Sequence, residues 1–242
     1  MERSKYLIIV FLLVCCGFAA RASYKQEVYT AYITNKMDIW KKVLVQMDAV
    51  STKTNAFRFE WLNYQYGYIA WCIDMNKKDE ARAILQQAEL NLAILEKEKN
   101  NLSMVNAYKA AFYGYKIGLN KLMATTYGPK SVAAAKLALS LNTDNAFAYC
   151  QYANIQYYMP AVFGGSKAEA LKYYLKCKAL MELNASALRF DWNYLNVLTA
   201  IAECFYNLKN KEMAKIYCEK ILKIEPQFLW IKTVLYPKVM NN

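Results

Sequence analysis

The stretch from Trp192 to Pro226 decides the fold. It runs Trp192-Asn193-Tyr194-Leu195, then Ile201-Ala202, Phe205, Asn207-Leu208-Lys209-Asn210, Ala214, Tyr217, Ile221 and Pro226. Leu198, Ile201 and Phe205 recur at three- and four-residue spacing, as Tyr217 and Ile221 do on the other side of the polar run, which is the period of amphipathic helices. The run Asn207–Asn210 reads as a tight turn, and Pro226 as a helix stop. The small residues Ala202 and Ala214 let the two helices approach closely. A hairpin of this kind cannot bury its apolar side alone, so it stacks on others like it, and stacks of hairpins hold partners on a concave face. The expected class is all-α: a solenoid of antiparallel helix pairs, closed by a C-terminal capping helix over Phe228–Tyr236 that ends at Pro237.

The same pattern extends towards the N-terminus. Residues 24–50 read as two helices around a turn at Asn35-Lys36, the second with Met37, Trp40, Val43, Leu44 and Met47 on one face. After a polar break at Ser51–Asn55, Tyr64, Tyr68 and Trp71 line a helix. Asn76–Asp79 form its turn, and Ala81, Leu85, Ala88, Leu92 and Leu95 a second helix. Arg58-Phe59-Glu60-Trp61 recurs as Arg189-Phe190-Asp191-Trp192, with the acid expected to cap the helix that follows. A third unit runs from Ser103 and is expected to break at Tyr127-Gly128-Pro129. A fourth holds Tyr149, Tyr152 and Tyr157, then a long loop, Met159-Pro160-Ala161-Val162-Phe163-Gly164-Gly165, and a capping box at Ser166–Glu169. No segment alternates with period two, so no strand is expected.

The chain has 242 residues and a formal charge of +12. Met1-Glu2-Arg3-Ser4-Lys5 is a basic lead, residues 6–20 are apolar, and Ala20-Arg21-Ala22 is a small-x-small cleavage site. Residues 1–22 therefore read as a Sec-type signal peptide, and 23–242 as one helical repeat domain. Cys15 and Cys16 raise lipidation as the alternative, although Val14 stands where a lipidation signal prefers a small residue. Without the leader the charge is +10, spread along the chain rather than gathered in an arm. That distribution, together with export, argues against nucleic acid.

The composition also limits the chemistry. There is no histidine, so no imidazole base, triad or histidine metal site can form. Cys72, Cys150, Cys177, Cys204 and Cys218 follow no CxxC spacing and read as small buried thiols, with Cys204 and Cys218 the first pair to test for a disulfide. The acids Glu60, Asp191 and Glu203 form no motif. No catalytic constellation, metal site or cofactor is expected. The glycine loop lacks phosphate-loop spacing and reads instead as a lip beside a groove. The 21 tyrosines must partly fill the core and partly line the concave side. Tyr149, Tyr152, Phe163, Gly164, Gly165, Trp192 and Tyr194 are the candidate binding residues.

Several segments carry a family resemblance: Tyr66-Gly67-Tyr68-Ile69-Ala70-Trp71-Cys72, Ala111–Leu119, Gly128-Pro129-Lys130-Ser131, Tyr158–Lys167 and Ile224-Glu225-Pro226-Gln227-Phe228. From about Phe57 onward the chain resembles exported tetratricopeptide-repeat proteins of Bacteroidetes-type bacteria. Pro160–Gly165 before an alanine-centred helix also looks like the T component of tripartite periplasmic (TRAP) transporters. The resemblance implies an α-solenoid in the periplasm or at the outer membrane, with no catalytic residues to transfer. The expected function is a non-catalytic scaffold for a protein or peptide of the cell envelope. The alternative is a small-molecule-binding accessory of a periplasmic transport system.

Overall fold

The computed structural model describes residues 24–241. The leader, its cleavage site and both leader cysteines lie outside the described residues. Among the described residues there is no strand, and helices follow one another as antiparallel pairs packed in a row. The helices are α1 (24–34), α2 (Met37–Asp48), α3 (Asn55–Asp74), α4 (Lys78–Lys97), α5 (Leu102–Leu119) and α6 (Ala124–Leu141), followed by α7 (Ala146–Tyr158), α8 (Lys167–Glu182), α9 (Trp192–Asn207), α10 (Lys211–Ile224) and α11 (Tyr236–Asn241). None is long and apolar enough to cross a membrane.

The turns follow from local chemistry. Asn35, Asn76, Lys99 and Lys209 each take a positive φ just past a helix end. The next amide then reaches back to a carbonyl five residues earlier: Lys36 to Ala31, Lys77 to Cys72, Asn100 to Leu95 and Asn210 to Phe205, at 2.7–3.0 Å. This closure satisfies carbonyls that the helix end would otherwise leave bare. Helix starts are capped by side-chain oxygens of Thr54, Asn101, Asn145, Ser166, Asp191 and Asn210.

Four local expectations are corrected. Gly128-Pro129 does not break the third unit. Asn120 accepts the amide of Leu122 and starts a 3-10 turn at Lys121–Met123, so α6 is already running when it reaches Pro129. Pro237 does not end the last helix either. The π turn Ile231–Leu235 widens the backbone just before it, which relieves the clash a proline makes with the preceding turn. The two Arg-Phe-acid-Trp segments are not equivalent: Asp191 caps α9, whereas Glu60 lies inside α3, behind the cap at Thr54, and accepts from the Tyr64 hydroxyl. At Ser166 only half of the capping box forms. Its hydroxyl accepts from the Glu169 amide, while its own amide donates to the Gln156 carbonyl.

Helices α3, α5 and α7 pack side by side, with α4, α6 and α8 against them as an outer row. The main apolar cluster joins both ends of the chain. Trp40 of α2 and Trp192 of α9 meet edge to face at 5.1 Å, and Tyr32 of α1 lies 5.6 Å from Trp192 and 5.0 Å from Phe228. Both tryptophan rings lie over Gly67 of α3, where an added Cβ would come within 2.6 Å of Trp40 and 2.7 Å of Trp192. Polar links reinforce the closure: Tyr29 donates to Glu225, Tyr32 to Asn196, and Asn193 to Asn63. The C-terminal segment seals the end with Phe228, Ile231, Leu235 and Val239.

Gly67→Ala should therefore cost about 1–3 kcal/mol through overpacking. Gly114→Ala, with nothing within 4 Å of the new Cβ, should gain up to about 1 kcal/mol from helix propensity. Thermal unfolding of both variants beside the parent checks this pair. Equal effects would mean that the tryptophans do not close on Gly67.

Candidate functional site on the inner face

The inner helices carry two neighbouring groups of aromatic side chains, one buried around Tyr66 and one around Tyr158. At the closed end Tyr66 is the hub. Its ring meets Trp192 at 6.1 Å, Tyr115 at 5.5 Å and Phe147 at 5.3 Å. Its hydroxyl accepts from Gln151 and Asn154, each at 3.2 Å, and the Tyr174 hydroxyl donates to Asn154. The Tyr115 hydroxyl donates to the Tyr66 carbonyl at 2.9 Å. Burial pushes the phenols of Tyr66, Tyr108, Tyr115 and Tyr174 well above the ordinary range, so these groups act as neutral hydrogen-bonding partners.

At the other end the C-termini of α3, α5, α7 and α9 surround Tyr158. This ring keeps 75% of its surface accessible. Yet desolvation, followed by the carboxylates of Glu203 and Asp74, raises its phenol to about 12. The hydroxyl thus lies among neighbouring groups while the ring stays open to solvent. Tyr157 stands beside it, its ring 4.9 Å from that of Tyr158 and its hydroxyl accepting from Asn207. The Lys167 ammonium lies 3.5 Å from the Tyr157 ring centroid and donates to the Tyr157 carbonyl. Burial lowers the pKa of Lys167.

Glu203 is a carboxyl on an otherwise largely apolar helix. Desolvation raises its pKa. Lys238 and Lys167 pull it down, and Asp74 pushes it up. The loop after α7 folds back on that helix: Gly165 donates to the Pro160 carbonyl and Ser166 to the Gln156 carbonyl. Val162 and Phe163 are left outside, 84% and 74% exposed. Gly164 sits at φ +94°, and a Cβ at Gly165 would collide with the Met159 carbonyl at 1.8 Å, so both positions require glycine.

The residues read from the sequence divide into three groups. Phe163, Gly164 and Gly165 share this loop, next to Tyr158. Tyr149 and Tyr152 lie on α7, packed against Tyr173 of α8 at 6.2 and 4.6 Å. Trp192 and Tyr194 are core residues, 4% and 7% exposed, and the Tyr194 hydroxyl donates to Glu182. They hold the fold shut rather than line an open wall, because Tyr32, Trp40 and Tyr66 fill the space in front of Trp192. Tyr158, Lys167 and Asp74 join this candidate site from positions that no sequence motif marks. For Glu203 the sequence signal is a single carboxylate between Ala202 and Cys204. On the outer side, a pocket of about 110 Å³ between α4 and α5 is crossed by the Lys109–Glu96 ion pair. Ordinary small-molecule sites enclose roughly 300 Å³ or more.

The chain matches no protein-family model and no curated protein. It is similar in fold to a solved structure, the HusA haemophore from Porphyromonas gingivalis, with a TM-score of 0.59 and 19% identity. The match covers 77% of this chain and 93% of that one. At this identity the likeness establishes the all-helical fold.

Glu203 supplies a test of the site's electrostatics. Its folded pKa lies above the unfolded value, so the folded state binds the proton more tightly. Its ionisation costs stability as pH rises through that window. Glu203→Gln should thus raise the melting temperature at pH 7, and the gain should vanish below about pH 4, where the parent is protonated too. Melting curves of both proteins across pH check the sign.

Proposed function

We propose that this chain is a non-catalytic binding protein, exported from the cell, that holds a planar apolar ligand of the tetrapyrrole type at the open end of its inner face. The observation that carries this reading is Tyr158, an aromatic ring left accessible a few residues from the exposed Val162 and Phe163. Flat aromatic ligands gain most from such ring faces and apolar lips, and they can bind without an enclosed cavity. The fold neighbour, whose title names it a haemophore, favours the same ligand class. The leader read from residues 1–22 supports export.

A second reading is the scaffold for an envelope protein or peptide. The polar rim favours it: Asp74, Lys167 and Glu203 offer charges that a peptide could use. The tetratricopeptide-type repeat and association with the outer membrane belong to this second reading, whereas a role as accessory of a periplasmic transport system goes with the small-molecule reading.

Haem titration of the purified chain, followed by Soret absorbance and tryptophan quenching, separates the two. Saturable binding near equimolar ratio is expected, with affinity falling about tenfold or more in a Tyr158→Ala, Phe163→Ala double variant, as expected when two aromatic contacts are lost. Unsaturable binding, or full affinity in the variant, contradicts the ligand reading. A stable protein partner recovered from envelope extracts and lost in the same variant would favour the scaffold.

A further inference from the structure

Cys150 on α7 and Cys177 on α8 face each other across one helical hairpin. Both are buried, 5% and 1% exposed, and they share an apolar cluster with Ala153, Ala170 and Tyr174, to which α9 adds Cys204. The hairpin is tightly registered around them. Tyr152 packs on Tyr173 at 4.6 Å, and the Tyr174 hydroxyl donates to Asn154 at 2.5 Å. Both are free thiols in this structure, the Cys177 thiol donates to the Met181 sulfur at 3.9 Å, and among the described residues no metal-site cluster takes up either one. Cys204 and Cys218, which the sequence suggests as a pair, belong to separate clusters.

We propose that Cys150 and Cys177 are joined by a disulfide that staples α7 to α8 when the chain folds in an oxidising compartment. The register of the α7–α8 hairpin sets Cys150 opposite Cys177 within one apolar cluster, the placement such a bond requires, whereas Cys218 belongs to another cluster. The bond forms by two exchanges. One cysteine thiolate attacks the disulfide of an oxidant, either oxidised glutathione or an oxidised dithiol protein, giving a mixed disulfide and one released thiol. The second cysteine thiolate then displaces the other half of the oxidant. Two protons and two electrons leave the chain, and the oxidant is reduced to two thiols. Burial and contact with Cys150 hold the Cys177 thiol protonated in the folded state, so the exchange belongs to folding, before the hairpin closes.

The loop carrying Val162 and Phe163 lies between the two cysteines in sequence. The staple sits at the far end of the hairpin from that loop, toward the start of α7 and the end of α8, so it fixes the pairing of the two helices that carry the lip and not the lip itself.

The test is refolding of the fully reduced chain in a glutathione redox buffer. Free thiols are then alkylated in denaturant, and peptides are mapped by mass spectrometry with and without reduction. One linked pair, Cys150–Cys177, is expected, with Cys72, Cys204 and Cys218 alkylated. Dithiothreitol should lower the melting temperature of this protein by roughly 5 °C or more. It should leave a Cys150→Ser, Cys177→Ser variant unchanged. A native helical fold with all five thiols alkylated overturns the proposal, as does a different linked pair. The assay runs on purified protein, so failure of export or of ligand binding would leave its result intact.

Discussion

The structure depends on one close approach. Two tryptophans from distant parts of the chain, Trp40 and Trp192, share the space that the missing side chain of Gly67 leaves on α3. A row of helix pairs has open ends, and each open end exposes apolar surface. Here the aromatic contact ties α9 to α1, α2 and α3, so one end of the inner face is filled rather than open. Tyr66 extends the seal to α5 and α7 through its ring contacts and its amide partners. The same arrangement leaves the opposite end free, where the C-termini of the inner helices surround Tyr158, Glu203 and Asp74.

This asymmetry explains the placement of charge and rings. At the closed end, phenols donate to amides, carbonyls and the Glu225 carboxylate, and Trp40 donates to the Tyr64 carbonyl, while the Trp192 indole N–H is buried without a partner. At the open end, a desolvated carboxyl, two nearby lysines and exposed aromatic side chains occupy one surface. Burying an ionisable group is costly unless it is paired, and Glu203 retains that cost. A fold built for stability alone would place an apolar residue there, as it does at Ile201 and Ala202 immediately before it. Polar groups kept at such a cost suit binding better than packing.

Much of the architecture was legible. Three- and four-residue spacing located the helices from residue 24 onward, and the Asn-Lys or Lys-Asn pairs marked turns that the structure closes by a shared backbone pattern. The prolines were harder to read. Pro129 and Pro237 signal breaks by local rules, but a 3-10 start at Lys121–Met123 and a π turn at Ile231–Leu235 override those rules through neighbouring backbone geometry. Periodicity also cannot say what lies opposite an apolar face. Trp192 was therefore read as a groove residue when it packs against Tyr32, far away in sequence. Tyr158 and Lys167 flanked the recognised glycine loop, but only the convergence of four helix ends reveals that they share a space with Glu203.

Hydrogen–deuterium exchange of the purified chain with and without haem tests the central claim most directly. The account predicts slowed exchange at the open end alone, over residues 70–74, 154–167 and 199–207, with the filled end around Trp192 and Tyr66 already protected and unchanged. Protection confined to the outer helices α4, α6 and α10, or none at saturating haem, would contradict it.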